Sequence, residues 1–239
     1  MTLASTLNKK FVLEPVVSQS ADWVGFELLT RYTSEAGKPR NAWMVIENMR
    51  YEEKRAFLWE QIDALSPFVA LLERRQLFVS VNIDRDMVQL LQEDEQLRQR
   101  FGASGVMRLE VSENIDFLND HVAKQTLQQL KACGMRFFLG DLGTGFANLE
   151  ALYTGLFEAV KIDKRFFWEQ KDKTIFPVLM NNIRRYCPLI IVVGVEDDED
   201  RATLADIPVY GLQGYRYAAL ELEELAQRLD PTALRPPTA

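Results

Sequence analysis

Seven polar residues punctuate the ends of apolar, β-prone runs: Glu27, Asn82, Glu110, Asp141, Lys161, Glu196 and Gln213. All are metal-ligand, acid–base or hydrogen-bonding types. Carboxylates and amide oxygens suit hard divalent cations, and a lysine beside them can balance charge or handle a proton. The sharpest segment is Arg136–Phe146, which reads RFFLGDLGTGF: an apolar run, one aspartate, then a glycine-rich turn. A buried strand ending in Asp and opening into such a turn is a platform for a metal ion. Singly, each polar residue could simply meet solvent where a strand ends. Seven successive strand ends of this chemistry ask for more than solvation.

The elements that must carry these residues alternate in type. Strands are expected over Phe11–Val17, Val24–Thr30, Leu77–Asn82, Val106–Val111, Met135–Asp141, Ala159–Ile162, Leu189–Gly194 and Val209–Gln213. Helical patterns lie between most of them. One covers Trp43–Leu65, extending toward Arg75 after a break at Pro67. Others are marked by Met87, Leu90, Leu91 and Leu97, and by Ala123, Leu127 and Leu130 with Gly134 as C-cap. Further helices are expected over Arg165–Arg185, Glu199–Asp206 and Glu221–Leu229. Trp43, Met44 and Met49 at helical spacing read as core. Strands separated by helices need crossovers and a mainly parallel sheet, and eight of them imply a closed (β/α)8 barrel, a TIM-like α/β fold. Only Ser18–Trp23 separates the first two strands, too short for a crossover, so the barrel should open with an antiparallel hairpin. Barrel chemistry collects at the C-terminal strand ends, so closure should bring the seven polar residues to one rim.

With 239 residues, the chain is expected to form one domain, with an ordered barrel over about 11–229 and a frayed, proline-containing tail over 230–239. The formal net charge of -7 argues against direct binding to a phosphate backbone. Cys133 and Cys187 follow no metal-ligand or disulfide pattern and are expected as buried free thiols. One histidine, His121, excludes a histidine metal site and a Ser-His-Asp triad. The longest apolar run, Pro188–Val193, is too short to span a bilayer. A cytoplasmic protein without membrane contact is expected.

The ordered motifs resemble the EAL family, whose barrels hydrolyse cyclic di-GMP. Gly25–Arg31 is similar to the signature segment, with Glu-Leu-Leu for Glu-Ala-Leu. Val79–Asn82 is similar to the strand bearing the metal-binding Asn, and Leu109–Glu113 to the Glu-Ile-Thr-Glu motif, whose second Glu supports a loop. Lys161-Ile162-Asp163 matches the Lys-Ile-Asp motif, and Gln213-Gly214-Tyr215 the closing Gln-Gly-Tyr. The resemblance implies metal ligation by Glu27, Asn82, Glu110 and Asp141, and a Lys161 that assists at water or phosphate. It also implies phosphate binding by Arg31, guanine contact by Gln213, and a barrel with an antiparallel first strand.

Two departures fall on the implied machinery. Gly140 stands where the family's strand carries the first of two aspartates, and Val193 where it carries a catalytic-site Glu, while Glu196 keeps the second Glu. Leu142 and Glu14 replace a Phe and a Gln. Two-metal hydrolysis needs a dense carboxylate cage to offset charge and lower the pKa of water. Glycine and valine supply neither ligand nor charge. The resemblance therefore points to a degenerate, stand-alone member like the enterobacterial anti-activators of flagellar genes, which bind the FlhD subunit of FlhDC. The Leu139–Gly143 and Tyr153–Phe157 segments carry this likeness. No cofactor is then expected, with Mg²⁺ or Mn²⁺ needed only for residual phosphodiesterase activity. Two alternatives stay open: a weak or altered phosphodiesterase, and a cyclic di-GMP receptor using Arg31 and Gln213 without hydrolysis.

Overall fold

The structure, a computed structural model, describes residues 6–112, 120–144 and 150–229. The expected tail over 230–239 and Glu113 lie outside the described residues.

The first two strands, β1 (Asn8–Val17) and β2 (Trp23–Thr33), form an antiparallel hairpin in which Glu14 faces Glu27. The turn between them is tied by Ser18, whose hydroxyl accepts from the backbone N–H groups of Ser20 and Asp22 at 3.2 Å each. A two-residue strand, β3 (Pro39–Arg40), flanks β2. Six parallel strands follow: β4 (Phe78–Ile83), β5 (Met107–Ser112), β6 (Phe137–Leu142), β7 (Phe157–Ile162), β8 (Leu189–Val193) and β9 (Gly211–Gln213). The ring closes where β1 pairs antiparallel with β9 at Val17 and Leu212, and β10 (Leu220–Glu221) adds to the outer edge of β1. All eight expected strands are present, and the hairpin deduced from loop length opens the barrel. Short β3 and β10 were not foreseen, because two residues carry no periodicity.

Strand side chains alternate between faces, so each inner face is a short ladder. Its lower rungs are apolar: Val16, Phe78, Phe138, Ala159 and Ile191 pack together, with the Phe78 and Phe138 rings edge-on at 5.0 Å. The rungs above them are Glu14, Ser80, Glu110, Gly140, Lys161, Val193 and Gln213. The outer faces bury Val79, Val81, Leu109, Val111, Phe137, Leu139, Val160 and Val192 under the helices. Burial on both faces explains why these strands read as continuous apolar runs.

Several expected helices are interrupted. The Trp43–Leu65 pattern divides into α1 (Ala42–Glu47) and α2 (Tyr51–Leu65). Arg50 starts α2, its backbone N–H donating to Glu53 Oε2 at 2.9 Å. In this short α1 only Val45 is buried, so Trp43 and Met44 are exposed rather than core, while Met49 is buried. After a 3-10 turn at Ser66–Phe68, α3 (Val69–Arg74) continues as expected past Pro67. The stripe Met87, Leu90, Leu91 and Leu97 is buried but spans two helices, α4 (Arg85–Glu93) and α5 (Glu95–Ala103). Asp94 separates them and caps α5, accepting from Gln96 N and Leu97 N at 3.0 and 3.1 Å. Next, α6 (His121–Ala132) ends at Gly134, whose φ of 92° is the left-handed conformation that glycine adopts freely.

A four-residue helix, α7 (Glu150–Tyr153), precedes β7. The Arg165–Arg185 pattern is broken into α8 (Lys164–Gln170) and α9 (Phe176–Tyr186), because Pro177 sits in the first turn of α9, where its missing N–H costs nothing. Then come α10 (Asp198–Thr203), a 3-10 turn at Leu222–Glu224 and α11 (Leu225–Arg228). Cys187 is buried, but Cys133, expected as buried, is exposed at the α6 C-terminus. Among the described residues no helix is long and apolar enough to cross a membrane.

Candidate functional site

The C-terminal ends of the strands enclose a cavity of about 290 Å³. All seven polar residues singled out from the sequence line it, together with Val193. Its floor is a charge network. Lys161 Nζ lies 2.5 Å from Glu27 Oε2 and 3.0 Å from Glu110 Oε2. Asn82 Nδ2 donates to Glu27 Oε1 at 2.6 Å. Gln213 Nε2 donates to Glu27 Oε2 at 2.7 Å and to Glu14 Oε2 at 3.1 Å. Glu27, Glu110, Lys161 and Gln213 are buried.

The two central carboxylates differ electrostatically. Burial works against ionising Glu27, but the Lys161 ammonium and the donors from Lys161, Gln213 and Asn82 outweigh it and hold its pKa below the usual carboxylate value. Burial dominates at Glu110, which lacks those amide donors and feels the Glu27 charge; its pKa is pushed up to about 7 despite Lys161. Burial disfavours the Lys161 ammonium as well, yet the two carboxylates raise its pKa and keep it charged.

The remaining residues form the rim. Asp141 follows an inward-facing Gly140 and has a φ of 57°, turning its exposed residue off the strand line. Its backbone oxygen accepts from Thr144 N and Thr144 Oγ1 at 3.1 and 3.0 Å, which fixes the turn. After β8, the backbone N–H groups of Gly194 and Val195 donate to Gln213 O at 2.9 and 3.0 Å, and exposed Glu196 follows. Gly140 faces Glu110: a Cβ there would lie 2.9 Å from Glu110 Oε1. Arg31 is not gathered in. It is two residues beyond cavity-lining Leu29 on β2, exposed, and outside the lining.

Glu14 and Lys164 also line the cavity. Glu14 had drawn notice only as a departure from a motif. The five-residue turn implied its position, since it sets the hairpin register that puts Glu14 across from Glu27. Lys164 carried no signal, because it belongs to the first turn of α8 rather than to a strand end.

A closed eight-stranded barrel with one antiparallel strand and a Glu-Asn-Glu-Asp-Lys-Gln rim defines the EAL type of barrel. The EAL domain profile matches residues 4–219, and the chain belongs to that family. It is similar to the anti-FlhC(2)FlhD(4) factor YdiV of Salmonella typhimurium strain LT2, 24% identical over 216 residues that make up 88% of this chain and 91% of that protein. The putative anti-FlhC(2)FlhD(4) factor YdiV of Escherichia coli K12 is 26% identical over the same shares. Among solved structures, the EAL-like domain protein YdiV superposes with a TM-score of 0.84 at 24% identity, covering 95% of this chain and 98% of that one. A PaMucR phosphodiesterase in complex with c-di-GMP gives 0.74 at 20% identity, covering 93% and 95%. These likenesses establish the fold.

The hydrolytic members of the family imply a divalent metal, and the residues here do not fit one. Glu27 and Glu110 aim oxygens at Lys161 Nζ, and Glu27 also accepts from two amide groups. Gly140 and Val193 contribute no ligand. Among the described residues no group of three or more His, Cys, Asp or Glu could hold a metal ion.

Proposed function

We propose that the chain is a non-catalytic EAL-like regulator that binds the FlhD subunit of FlhDC in the cytoplasm and represses flagellar gene expression and motility. The observation that carries the non-catalytic half is the floor of the cavity. Lys161 is ion-paired to both central carboxylates, while the positions of two further family acids hold Gly140 and Val193. Water activation by metal needs carboxylate oxygens free to ligate it. This reading assigns the chain no metal or nucleotide cofactor. The anti-activator half is supported by relatives that match 88% of the chain and carry anti-FlhC(2)FlhD(4) factor as their name. The acidic balance fits a chain that acts on a DNA-binding partner rather than on DNA.

Purified chain is expected to retain FlhD in a pull-down at micromolar concentration; no retention of FlhD or FlhDC removes the partner assignment. Separately, incubation with cyclic di-GMP and Mn²⁺ should yield no linear pGpG above background. The retained Glu27, Asn82, Glu110, Asp141, Lys161 and Gln213 around one cavity favour a weak phosphodiesterase as the second reading. Product formed at an ordinary turnover rate would replace the first reading with that one.

A further inference from the structure

The outer wall of the barrel carries an apolar face that no described element covers. Of the nine large apolar side chains exposed among the described residues, four belong to α7 and α9: Tyr153, Ile175 at the α9 N-cap, Val178 and Tyr186, each 48–56% exposed. Ile175, Val178, Asn182 and Tyr186 recur at three- and four-residue spacing, which puts them on one side of the helix. The opposite side, Phe176, Met180 and Ile183, is buried in the core, so α9 is anchored without them. Tyr153 carries the stripe across to α7, its ring meeting that of Tyr186 edge-on at 4.2 Å. Rings that already hold each other lose little freedom when a partner lands on them, which makes them good anchors. Single exposed apolar residues need no explanation, but a stripe gathered on one face marks an interaction surface.

Charge says what would cover it. Arg184 and Arg185 stand in the last turn of α9, which has no acidic residue, and Lys173 precedes the helix. None of these three is in an ion pair among the described residues, whereas Lys9, Lys10, Arg55, Arg85 and Lys171 elsewhere on the surface are each paired with a carboxylate. The apolar stripe thus has a basic border in a chain whose formal net charge is -7. A second copy of the chain fits poorly, because a two-fold contact through this face would set α9 cations against α9 cations. An anionic bilayer fits poorly too, because it repels the acidic remainder of the chain. The stripe runs the length of an eleven-residue helix, about 16 Å, the span of three turns of a partner helix.

We propose that the face formed by α7 and α9 docks an acidic amphipathic helix of a protein partner. The apolar side of that helix lies along Ile175, Val178, Tyr186 and Tyr153, and its carboxylates meet Lys173, Arg184 and Arg185. The inference rests on the regulatory reading above and gives the partner a place on the barrel wall; none of these residues lines the inherited cavity.

Two readouts on the whole chain test it: FlhD pull-down, and calorimetric titration with a synthetic helical peptide built of Leu on one side and Glu on the other. A counterpart with Lys for every Glu is the control. The wild-type chain should bind the Leu/Glu peptide saturably and the Leu/Lys peptide not at all. The Val178→Ser/Tyr186→Ser and Arg184→Glu/Arg185→Glu variants, checked for an unchanged melting temperature, should weaken peptide binding and FlhD retention at least tenfold. Arg184 and Arg185 are exposed, so their variant keeps the test intact if loss of Tyr186 disturbs the fold. Trp43→Ser/Met44→Ser, which removes the exposed apolar pair on α1, should change neither readout. Equal binding of the two peptides, no binding of the Leu/Glu peptide, or variants that bind as tightly as wild type would each overturn the proposal. So would a wild-type dimer in solution that Val178→Ser/Tyr186→Ser dissociates, or binding of phosphatidylserine vesicles in place of the peptide. FlhD retained equally by wild type and both variants sinks this inference and leaves the proposed function standing. Peptide binding that both variants lose, with no retention of FlhD, keeps the docking face and removes the assigned partner.

Discussion

At the scale of single residues, Lys161 does for Glu27 and Glu110 what a bound cation does in a carboxylate cage: it makes burial of their charge tolerable. Lys161 is 4% exposed and bridges acids on β2 and β5, strands that β4 separates. Removing one partner of a buried ion pair leaves uncompensated charge, at a cost of about 3–5 kcal/mol. Lys161→Met should therefore lower stability in urea by that order, and a loss below 1 kcal/mol would show that the network is not needed to hold the floor. Gly140 belongs to the same local problem. A Cβ at 140 would press on Glu110 Oε1, and the same carboxylate is held by Lys161 through Oε2, so restoring an acid there means repacking the floor as well as adding a ligand.

Among elements, the fit between β2 and β4 is one that a single substitution can probe. Gly25 on β2 lies against the ring of Phe78 on β4, and a Cβ at Gly25 would sit 2.5 Å from two of its ring carbons. That ring cannot retreat freely, because it packs on Phe138 at 5.0 Å and on Tyr210 at 6.4 Å. Overpacking of this kind costs roughly 1–3 kcal/mol. Gly25→Ala is expected to lower the urea midpoint accordingly. An unchanged midpoint would mean that the lower rungs hold spare volume. The divided helices follow the same local logic: Asp94 caps α5 and Pro177 starts α9, each a short-range signal strong enough to interrupt a longer apolar stripe.

For the whole molecule, closure depends on β1. It alone runs antiparallel within the ring, pairing with β2 on one side and with β9 and β10 on the other. Without it, β2 and β9 would each expose an unpaired edge, and the inner rungs Glu14 and Val16 would be missing. Deleting residues 1–17 is expected to abolish cooperative thermal unfolding followed by circular dichroism. A truncated chain that still melts in one sharp transition would show that the remaining strands close by themselves. The cavity inherits this dependence, since its lining is drawn from every strand of the ring.

Most of the fold was legible from alternation alone, because strands buried on both faces are continuous apolar runs and their helices carry stripes. The first loop, too short for a crossover, dictated the antiparallel start. The seven cavity-lining residues were likewise readable, because barrel geometry assigns strand ends to one face whatever the intervening chain does. Pairing was decided only by the tertiary structure. Which acid Lys161 would choose, that Glu14 would share Gln213 with Glu27, and that Arg31 would fall outside the cavity all depend on register and strand tilt. Exposure was decided there as well: Trp43, Met44 and Cys133 have core-like chemistry but sit on a short helix or at a helix C-terminus that leaves them at the surface. The physical reason is common to these cases. Local sequence sets what a segment is and which way its side chains alternate, whereas charge pairing and burial depend on neighbours that are tens or hundreds of residues away in the chain.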